Sequence, residues 1–211
     1  SRKEQPGWGT LEYSYLPGGL LGSTAVTAGA EAWRIDYSYD PLHRLTGATI
    51  PGYGMSVAYE YDAAGTLLTM SYGNGLTNRY NYDNRNRLTN LVWGTEGKEW
   101  ASFDYRVNAA GQRTRLTERL ADGGGGARTY DWEYDPLQRL VSERISDLGQ
   151  AVYRYDKVGN RLERISSLPG VPSMRLRYDQ NDRIDPDDDP MNRNPDYDAA
   201  GNMLRLPAAM R

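Results

Sequence analysis

The side chains that could carry out chemistry in this 211-residue chain are few in kind. It has no cysteine and one histidine, His43, beside 28 acidic and 25 basic residues. Disulfides, thiolate zinc sites and thiol nucleophiles are therefore absent, and one histidine cannot form a multi-histidine metal site. Pairs of carboxylates could serve a glycoside hydrolase, but most aspartates occupy one recurring turn position. We predict no catalytic, cofactor-binding or metal-binding residues and no cofactor.

The densest group of oxygen ligands is the acidic run Asp185–Asp189. It lacks the Asp-x-Asp-x-Asp-Gly spacing of a calcium loop, and prolines interrupt it. We interpret it as a solvated, stiffened loop, with a hard-cation site as the alternative. His43 lies at a turn position that Asn86, Gln138 and Asp182 occupy in equivalent segments, so it is predicted to be a left-handed turn residue and not a catalyst.

The aspartates belong to a repeat that runs through the chain. Its signature is the tetrad Tyr-x-Tyr-Asp, as in Tyr37–Asp40 and Tyr59–Asp62. The second ring position falls at residues 15, 39, 61, 82, 107, 134, 155, 178 and 197, so nine copies lie on average about 23 residues apart. The repeat, more than any single residue, should therefore determine the fold.

Each copy alternates apolar and polar residues up to its Asp, as a β-strand does. One strand carries Trp33, Ile35, Tyr37 and Tyr39 on one face, opposite Arg34, Asp36 and Ser38. We predict a sheet with one packed face and one wet or ion-paired face. Strands of six to nine residues and very little helix are expected, whereas the small-residue segment 18–30 is predicted to be irregular.

The Asp that ends each strand is predicted to form a turn. In Asp62-Ala63-Ala64-Gly65 the Asp is followed after two residues by a residue that accepts positive φ, which is typical of a type I turn. Turns at the opposite edge are predicted at Pro51-Gly52, Asn74-Gly75, Glu96-Gly97, Asp147-Leu148-Gly149 and Pro169-Gly170. Each copy is thus a β-hairpin, and the chain is predicted to be all-β.

The copies alternate between two kinds. In the Gly copies, the residue four positions after the second ring position is Gly: Gly19, Gly65, Gly111, Gly159 and Gly201. In the Arg copies, the residue five positions after it is Arg: Arg44, Arg87, Arg139 and Arg183. These arginines are predicted to stack on a ring or to pair with Asp of an adjacent copy; a solvated cation is the alternative.

Two motifs, Tyr-Asp-x-x-Gly-Asn/Gln-Arg and Tyr-Asp-Pro-Leu-x-Arg-Leu, resemble the YD repeats of the RHS (rearrangement hot spot) family over about residues 11–205. The resemblance implies consecutive antiparallel hairpins in a curved, spiralling sheet, part of a hollow shell around a toxin or other cargo. It also implies an N-terminal edge segment at 1–10, a nine-copy array at 11–205 and a tail at 206–211. The family's autoproteolytic, shell-closing motif is not recognisable, and Asp185–Asp189 is only superficially similar to it.

The implied function is that of a non-enzymatic shell segment in a secreted bacterial protein, with the rest of the shell and an enclosed polypeptide as partners. A carbohydrate-binding module using exposed Tyr and Trp, or a protein-interaction array recruiting chains at its sheet edges, are the alternatives. A net charge of −3 does not favour nucleic acid as a partner, and no apolar run is long enough for a membrane span.

Overall fold

The computed structural model describes residues 2–5, 9–121, 126–184, 196–198 and 201–205. Its regular elements in these ranges are all strands, which confirms the all-β prediction: β1 (Arg2–Gln5), β2 (Gly9–Tyr15), β3 (Leu21–Ala28), β4 (Glu31–Tyr39), β5 (Leu45–Ile50), β6 (Met55–Tyr61), β7 (Leu67–Tyr72), β8 (Thr77–Tyr82), β9 (Leu88–Thr95), β10 (Lys98–Val107), β11 (Arg113–Leu120), β12 (Ala127–Tyr134), β13 (Leu140–Ile145), β14 (Gly149–Tyr155), β15 (Arg161–Ser166), β16 (Met174–Arg175), β17 (Asp196–Tyr197) and β18 (Met203–Arg205). No helix able to cross a membrane occurs in the described part of the chain.

The chain divides into two compact units, of which the first comprises Ser1–Tyr105 and Glu118–Ala127. In this unit β1 to β10 pair in chain order, and every pair is antiparallel. The register aligns Tyr37 with Ala48, Ala48 with Val57, and Val57 with Tyr72. Apolar residues of successive strands therefore form rows on one face, as the period-two pattern predicted.

The second unit comprises Arg106–Thr117 and Arg128–Arg211. Strands β12 to β16 again pair with their sequence neighbours in antiparallel fashion, and β17 and β18 form a separate hairpin. The rows of side chains on the aromatic face are less uniformly apolar in this unit, because Trp132 is aligned with Glu143 and Glu143 with Ala151. A carboxylate thus lies on the aromatic face here.

A register shift precedes the Tyr–Asp turns in both units. It falls between Ser38 and Tyr39, and again between Glu60 and Tyr61 and between Arg154 and Tyr155. The extra residue lies on the strand that follows the turn: Thr46, Leu68 and Leu162. A bulge of this kind increases the local twist of the strand pair.

The expectation of irregular structure over residues 18–30 was wrong for most of that segment. Residues Leu21–Ala28 form the eight-residue strand β3, which pairs with β2 on one side and β4 on the other. Only the turns before and after it are irregular. Thr24, Val26 and Thr27 favour extended backbone, and two flanking strands supply hydrogen bonds whatever the size of the remaining side chains.

Little of the described structure is deeply buried. The buried apolar residues are Ala101, Ala151 and Leu168, and no large side chain there is completely enclosed. The predicted packed face is only partly covered: Trp33 is 45% and Trp93 42% exposed, and ring pairs form between Trp93 and Trp100 and between Tyr130 and Trp132. The described strands of the large sheet pair only with their neighbours in the chain, and no large side chain among them is completely enclosed, as expected of a sheet one strand layer thick.

Three features of the sequence fall outside the described residues: the acidic run Asp185–Asp189, the tail 206–211, and most of the glycine-rich connection 121–127. The calcium alternative for the acidic run therefore stays a prediction. Strand β1, Arg2–Gln5, occupies part of the predicted N-terminal edge segment and pairs with β2.

Candidate functional site

The Tyr–Asp turns are the most regular polar structure in the chain, and Asp40 shows how they are built. The backbone N–H of His43 donates to the carbonyl of Asp40 at 2.9 Å, and the N–H of Asp40 donates to the carbonyl of Arg44 at 3.0 Å. The carboxylate oxygen Oδ1 of Asp40 accepts the N–H groups of Leu42 and Arg44, both at 2.9 Å. The predicted Asp-capped turn is confirmed.

The fourth residue of each turn, which lies three positions after the Asp, adopts positive φ in both kinds of copy. Glycines hold it in the Gly copies, for example Gly65 at 88° and Gly159 at 105°. In the Arg copies the residues are His43 at 64°, Asn86 at 57°, Gln138 at 64° and Asp182 at 58°. This confirms the left-handed role predicted for His43, and within the described ranges no other non-glycine residue has positive φ.

The arginines of the Arg copies pair within their own turns. Nitrogen–oxygen distances of 2.6 or 2.7 Å join four pairs: Arg44 with Asp40, Arg87 with Asp83, Arg139 with Asp135, and Arg183 with Asp179. The predicted ion pair with Asp of an adjacent copy was wrong. Five bonds separate Cα from the guanidinium carbon, which lets the arginine fold back on the Asp four residues earlier, while its remaining nitrogens face the next copy.

Those remaining nitrogens connect consecutive hairpins. Nη1 of Arg44 donates to the backbone carbonyl of Asp62 at 2.8 Å, and the guanidinium carbon lies 4.9 Å from the centre of the Tyr61 ring. Arg139 repeats both contacts in the second unit, with the carbonyl of Asp156 at 2.8 Å and the ring of Tyr155 at 4.8 Å. The predicted stacking on a ring is therefore confirmed at two arginines.

Two of the Gly copies make a corresponding connection with neutral amides, those of Gln112 and Asn160. Nε2 of Gln112 donates to the backbone carbonyl of Gln138 at 3.0 Å. Nδ2 of Asn160 donates both to Asp156 in its own turn, at 3.0 Å, and to Asp182 of the next copy, at 2.7 Å. We call this set of side chains that link successive Tyr–Asp turns the turn ladder.

Tyrosine hydroxyl groups add a second set of links, which sequence reasoning missed. Each hydroxyl donates to the backbone carbonyl of the residue that opens a strand of the preceding hairpin: Tyr39 to Leu21, Tyr61 to Leu45, Tyr134 to Arg113, Tyr155 to Leu140 and Tyr178 to Arg161, at 2.8–3.1 Å. The available signal was composition, because 17 Tyr against one Phe indicates that the hydroxyl is used.

The turn aspartates are held in the ionised state. Hydrogen bonds from the side chain and then the backbone of Arg87 lower the pKa of Asp83 to about 2. At Asp62, the N–H of Thr66 is the main cause of a lowered pKa, although partial burial opposes it. A carboxylate with a depressed pKa accepts hydrogen bonds at neutral pH and does not serve as an acid. The turn chemistry is that of a structural anchor.

The polar face of the sheet carries ion pairs, as its sequence predicted. Arg34 pairs with Asp36 and Arg79 with Glu99 in the first unit. In the second, Glu163 is buried between two arginines, Arg154 at 3.2 Å and Arg175 at 2.8 Å. In the part of the chain that the structure describes, no three His, Cys, Asp or Glu side chains gather as a metal site would require.

On the aromatic face of the second unit, Tyr153 donates its hydroxyl to Glu143 at 2.6 Å. Burial, and then this bond to a carboxylate, raise the pKa of Tyr153 to about 12. The tyrosine therefore stays protonated and continues to donate at any physiological pH. This pair satisfies the carboxylate that interrupts the aromatic row.

Comparison with known proteins identifies similar chains. No family model matches. A curated relative, "Toxin protein Tse5" of Pseudomonas aeruginosa, is 32% identical over 180 residues, which cover 83% of this chain and 12% of the relative. The structure of the Photorhabdus luminescens Tc holotoxin pore matches with a TM-score of 0.72 and 16% identity over 92% of this chain and 12% of that one.

A crystal structure of TcdB2-TccC3 matches similarly, with a TM-score of 0.71, 16% identity, and coverage of 92% of this chain and 12% of the other. At such identities the structural matches show a shared fold of successive hairpins. The chain spans 12% of the length of each of these relatives.

Proposed function

This chain belongs to the RHS/YD-repeat family, and from that premise we propose that it is a wall segment of a larger secreted bacterial shell that encloses a toxin or other cargo polypeptide. The observation that most supports this is the one-layer construction. Described strands pair only with their chain neighbours, and no large side chain among them is completely enclosed. A sheet of this kind is suited to separating two spaces.

Such a wall would act by steric exclusion. Backbone hydrogen bonds join each described strand to the next, and the turn ladder links successive hairpins at the margin that carries the Tyr–Asp turns. Each arginine–ring stack adds about 0.5–1 kcal/mol and each hydroxyl-to-carbonyl bond about 0.5–1.5 kcal/mol. In repeat proteins these nearest-neighbour terms sum along the array, so many weak links give a stable wall.

We propose that this segment has no enzymatic activity of its own. The relative from Pseudomonas aeruginosa is a toxin protein, of which the chain matches 12%. We assign the toxic activity of such a protein to other parts of its polypeptide, because the turn aspartates here already serve as hydrogen-bond acceptors within their turns. Toxin relatives also favour a site of action outside the producing cell.

Protease protection of the longer protein that contains this chain tests the proposal. The cargo region should resist digestion while the wall is intact and become sensitive when Arg44 and Arg139 are both replaced by alanine. Arg34→Ala, which removes an exposed ion pair outside the turn ladder, is the matched control and should leave protection unchanged. Digestion of the cargo at the rate of the free cargo, with the wall intact, would refute encapsulation.

Carbohydrate binding is the competing function, and one observation favours it. Trp93 and Trp100 form an edge-to-face pair with ring centres 5.8 Å apart, and both are exposed. Exposed indoles are common stacking surfaces for sugars. Glycan-array binding that disappears in Trp93→Ala would support a lectin role, whereas absence of binding with an intact fold would leave these rings a structural part of the wall.

A further inference from the structure

An open pocket of about 260 Å³ lies at the margin of the first unit away from the Tyr–Asp turns. It is lined by Val26, Ala28, Glu31, Ala32, Trp33 and Tyr53. Strand register aligns Trp33 with Val26 and Glu31 with Ala28. Because alternate residues of a strand share a face, these four lie together on the aromatic face. Tyr53 reaches them from the turn between β5 and β6.

The pocket combines two aromatic rings with one carboxylate. Trp33 is 45% and Tyr53 59% exposed, so both rings present a free surface. Glu31 is exposed and has no ion pair or side-chain hydrogen bond with any described residue. The other lining residues are Val26, Ala28 and Ala32, which offer only methyl groups and backbone. Negative charge beside π faces in an otherwise apolar pocket suits an organic cation.

Four other aromatic rings of this chain each have a cationic side chain over one face. Arg44 lies over Tyr61, Arg139 over Tyr155, Arg161 over Tyr153 and Lys98 over Trp100, at 4.8–6.0 Å from the ring centres. Three of these four cations are arginines. Trp33 and Tyr53 have the same kind of surface, but no described cation occupies it.

We propose that this pocket binds the side chain of an arginine presented by a separate partner polypeptide. The planar guanidinium stacks against Trp33 and Tyr53 while its N–H groups donate to the carboxylate of Glu31. A sugar fits less well, because it needs several converging hydrogen-bonding groups and the side chains of the pocket offer the Glu31 carboxylate, the Tyr53 hydroxyl and the Trp33 indole N–H. The proposal does not depend on encapsulation, since it concerns a local contact.

Titration of the 211-residue chain with Nα-acetyl-arginine amide, followed by NMR of the tryptophan indole N–H groups, tests the proposal. The Trp33 resonance should shift to saturation, and the Trp100 resonance, whose ring already contacts Lys98, should not. Glu31→Gln and Tyr53→Ala should each weaken the affinity about three-fold or more, with the loss at Glu31→Gln shrinking as salt rises. Glu99→Gln, beside Trp100, is the matched control and should change nothing.

Unshifted resonances of the other four tryptophans verify that each variant is folded. Should a variant unfold, comparison of the arginine amide with its neutral citrulline analogue on the unaltered chain still decides the question. Equal binding of the two ligands, equal shifts at Trp33 and Trp100, or no saturable shift would overturn the proposal. A Trp33 shift with cellohexaose and none with arginine amide would replace it with a sugar site.

Discussion

The Arg copies and the Gly copies build the same turn with different side chains. Except in the first copy, where Leu16 holds the capping position, both cap the turn with an Asp or Asn oxygen; both have positive φ three residues later, at His43 in one kind and Gly65 in the other. Arg44 and Arg139 then extend a charged, ring-stacking side chain to the next hairpin, whereas Gln112 and Asn160 of two Gly copies extend a short neutral amide. The comparison shows that different positions of the turn have different roles: the fourth residue provides the positive φ, and the residue after it provides the link to the next hairpin.

Acid should have the largest effect, because it acts on both kinds of copy at once. The pKa is lowered at Asp40, Asp62, Asp83, Asp135, Asp156 and Asp179. A carboxyl whose pKa is lower in the folded state stabilises that state above its unfolded pKa of about 3.9, and this stabilisation is lost as pH falls through the folded value. Thermal unfolding should therefore shift steeply downward between pH 4 and about pH 2, where Asp83 titrates.

The chain contains its own neutral control for this effect. Asn108 caps its turn with an amide oxygen that accepts the N–H of Gln112 at 3.0 Å. Asp83→Asn should therefore keep the turn but reduce the acid dependence of the melting temperature. A melting temperature that stays constant from pH 5 to pH 2.5 in the unaltered chain would contradict the role of the ionised turns.

Gly65→Val should be the most damaging single substitution in the comparison. At φ of 88° a β-branched residue is strained, while a Cβ atom there would meet only the tip of Arg44 at 3.9 Å. The cost is therefore conformational, about 1–3 kcal/mol, and should appear in chemical denaturation curves. Gly126→Val, at a glycine with ordinary φ and open space, should be nearly neutral; equal losses in the two variants would refute the turn assignment.

Arg139→Ala should cost about 1–2 kcal/mol, because it removes the bond to the Asp156 carbonyl and the stack on Tyr155 as well as the pair with Asp135. Arg139→Lys should recover only part of the loss, since an ammonium group cannot make all three contacts. Arg34→Ala is the control: loss of its exposed ion pair should change the free energy of unfolding by nearly zero. A similar cost for Arg34 and Arg139 would show that the link between hairpins contributes nothing.

His43→Gly should have the smallest effect and the opposite sign. Glycine relieves the strain of a left-handed histidine at φ of 64°, a gain of up to about 1 kcal/mol, partly offset by greater freedom of the unfolded chain. A small rise in melting temperature is expected, with Asn86→Gly as the comparison. A marked fall would mean that the His43 side chain makes a contribution beyond its turn.

Much of this fold follows from local rules in the sequence. Period-two alternation and the Asp-x-x-Gly spacing predicted the hairpins, the turn positions and the positive φ of His43, because these depend on residues close together in the chain. The strand Leu21–Ala28 was missed because Gly22, Ser23 and Ala25 interrupt the β-branched residues that favour extended backbone, whereas pairing with β2 and β4 on either side stabilises the strand.

The candidate site was less predictable, since its links span different hairpins. The hydroxyl of Tyr61 reaches a carbonyl 16 residues earlier, and no local pattern identifies which carbonyl it meets. From the sequence, Arg44 could have met the Asp of its own turn or of a neighbouring one, and in the structure its Nε donates to Asp40 of its own turn. The exposure of Trp33 likewise depends on whether another part of the protein covers this face of the sheet, which an alternating strand pattern does not predict.

The pairing of each strand with its sequence neighbours also bears on how such proteins diverge. A duplication that adds one Arg copy and one Gly copy together inserts a complete module, because every new hydrogen bond is made within the insertion or to the copies beside it. Adding a single copy instead would place two turns of the same kind next to each other and mismatch their side-chain links. Lineages of this architecture should therefore gain and lose hairpins in twos.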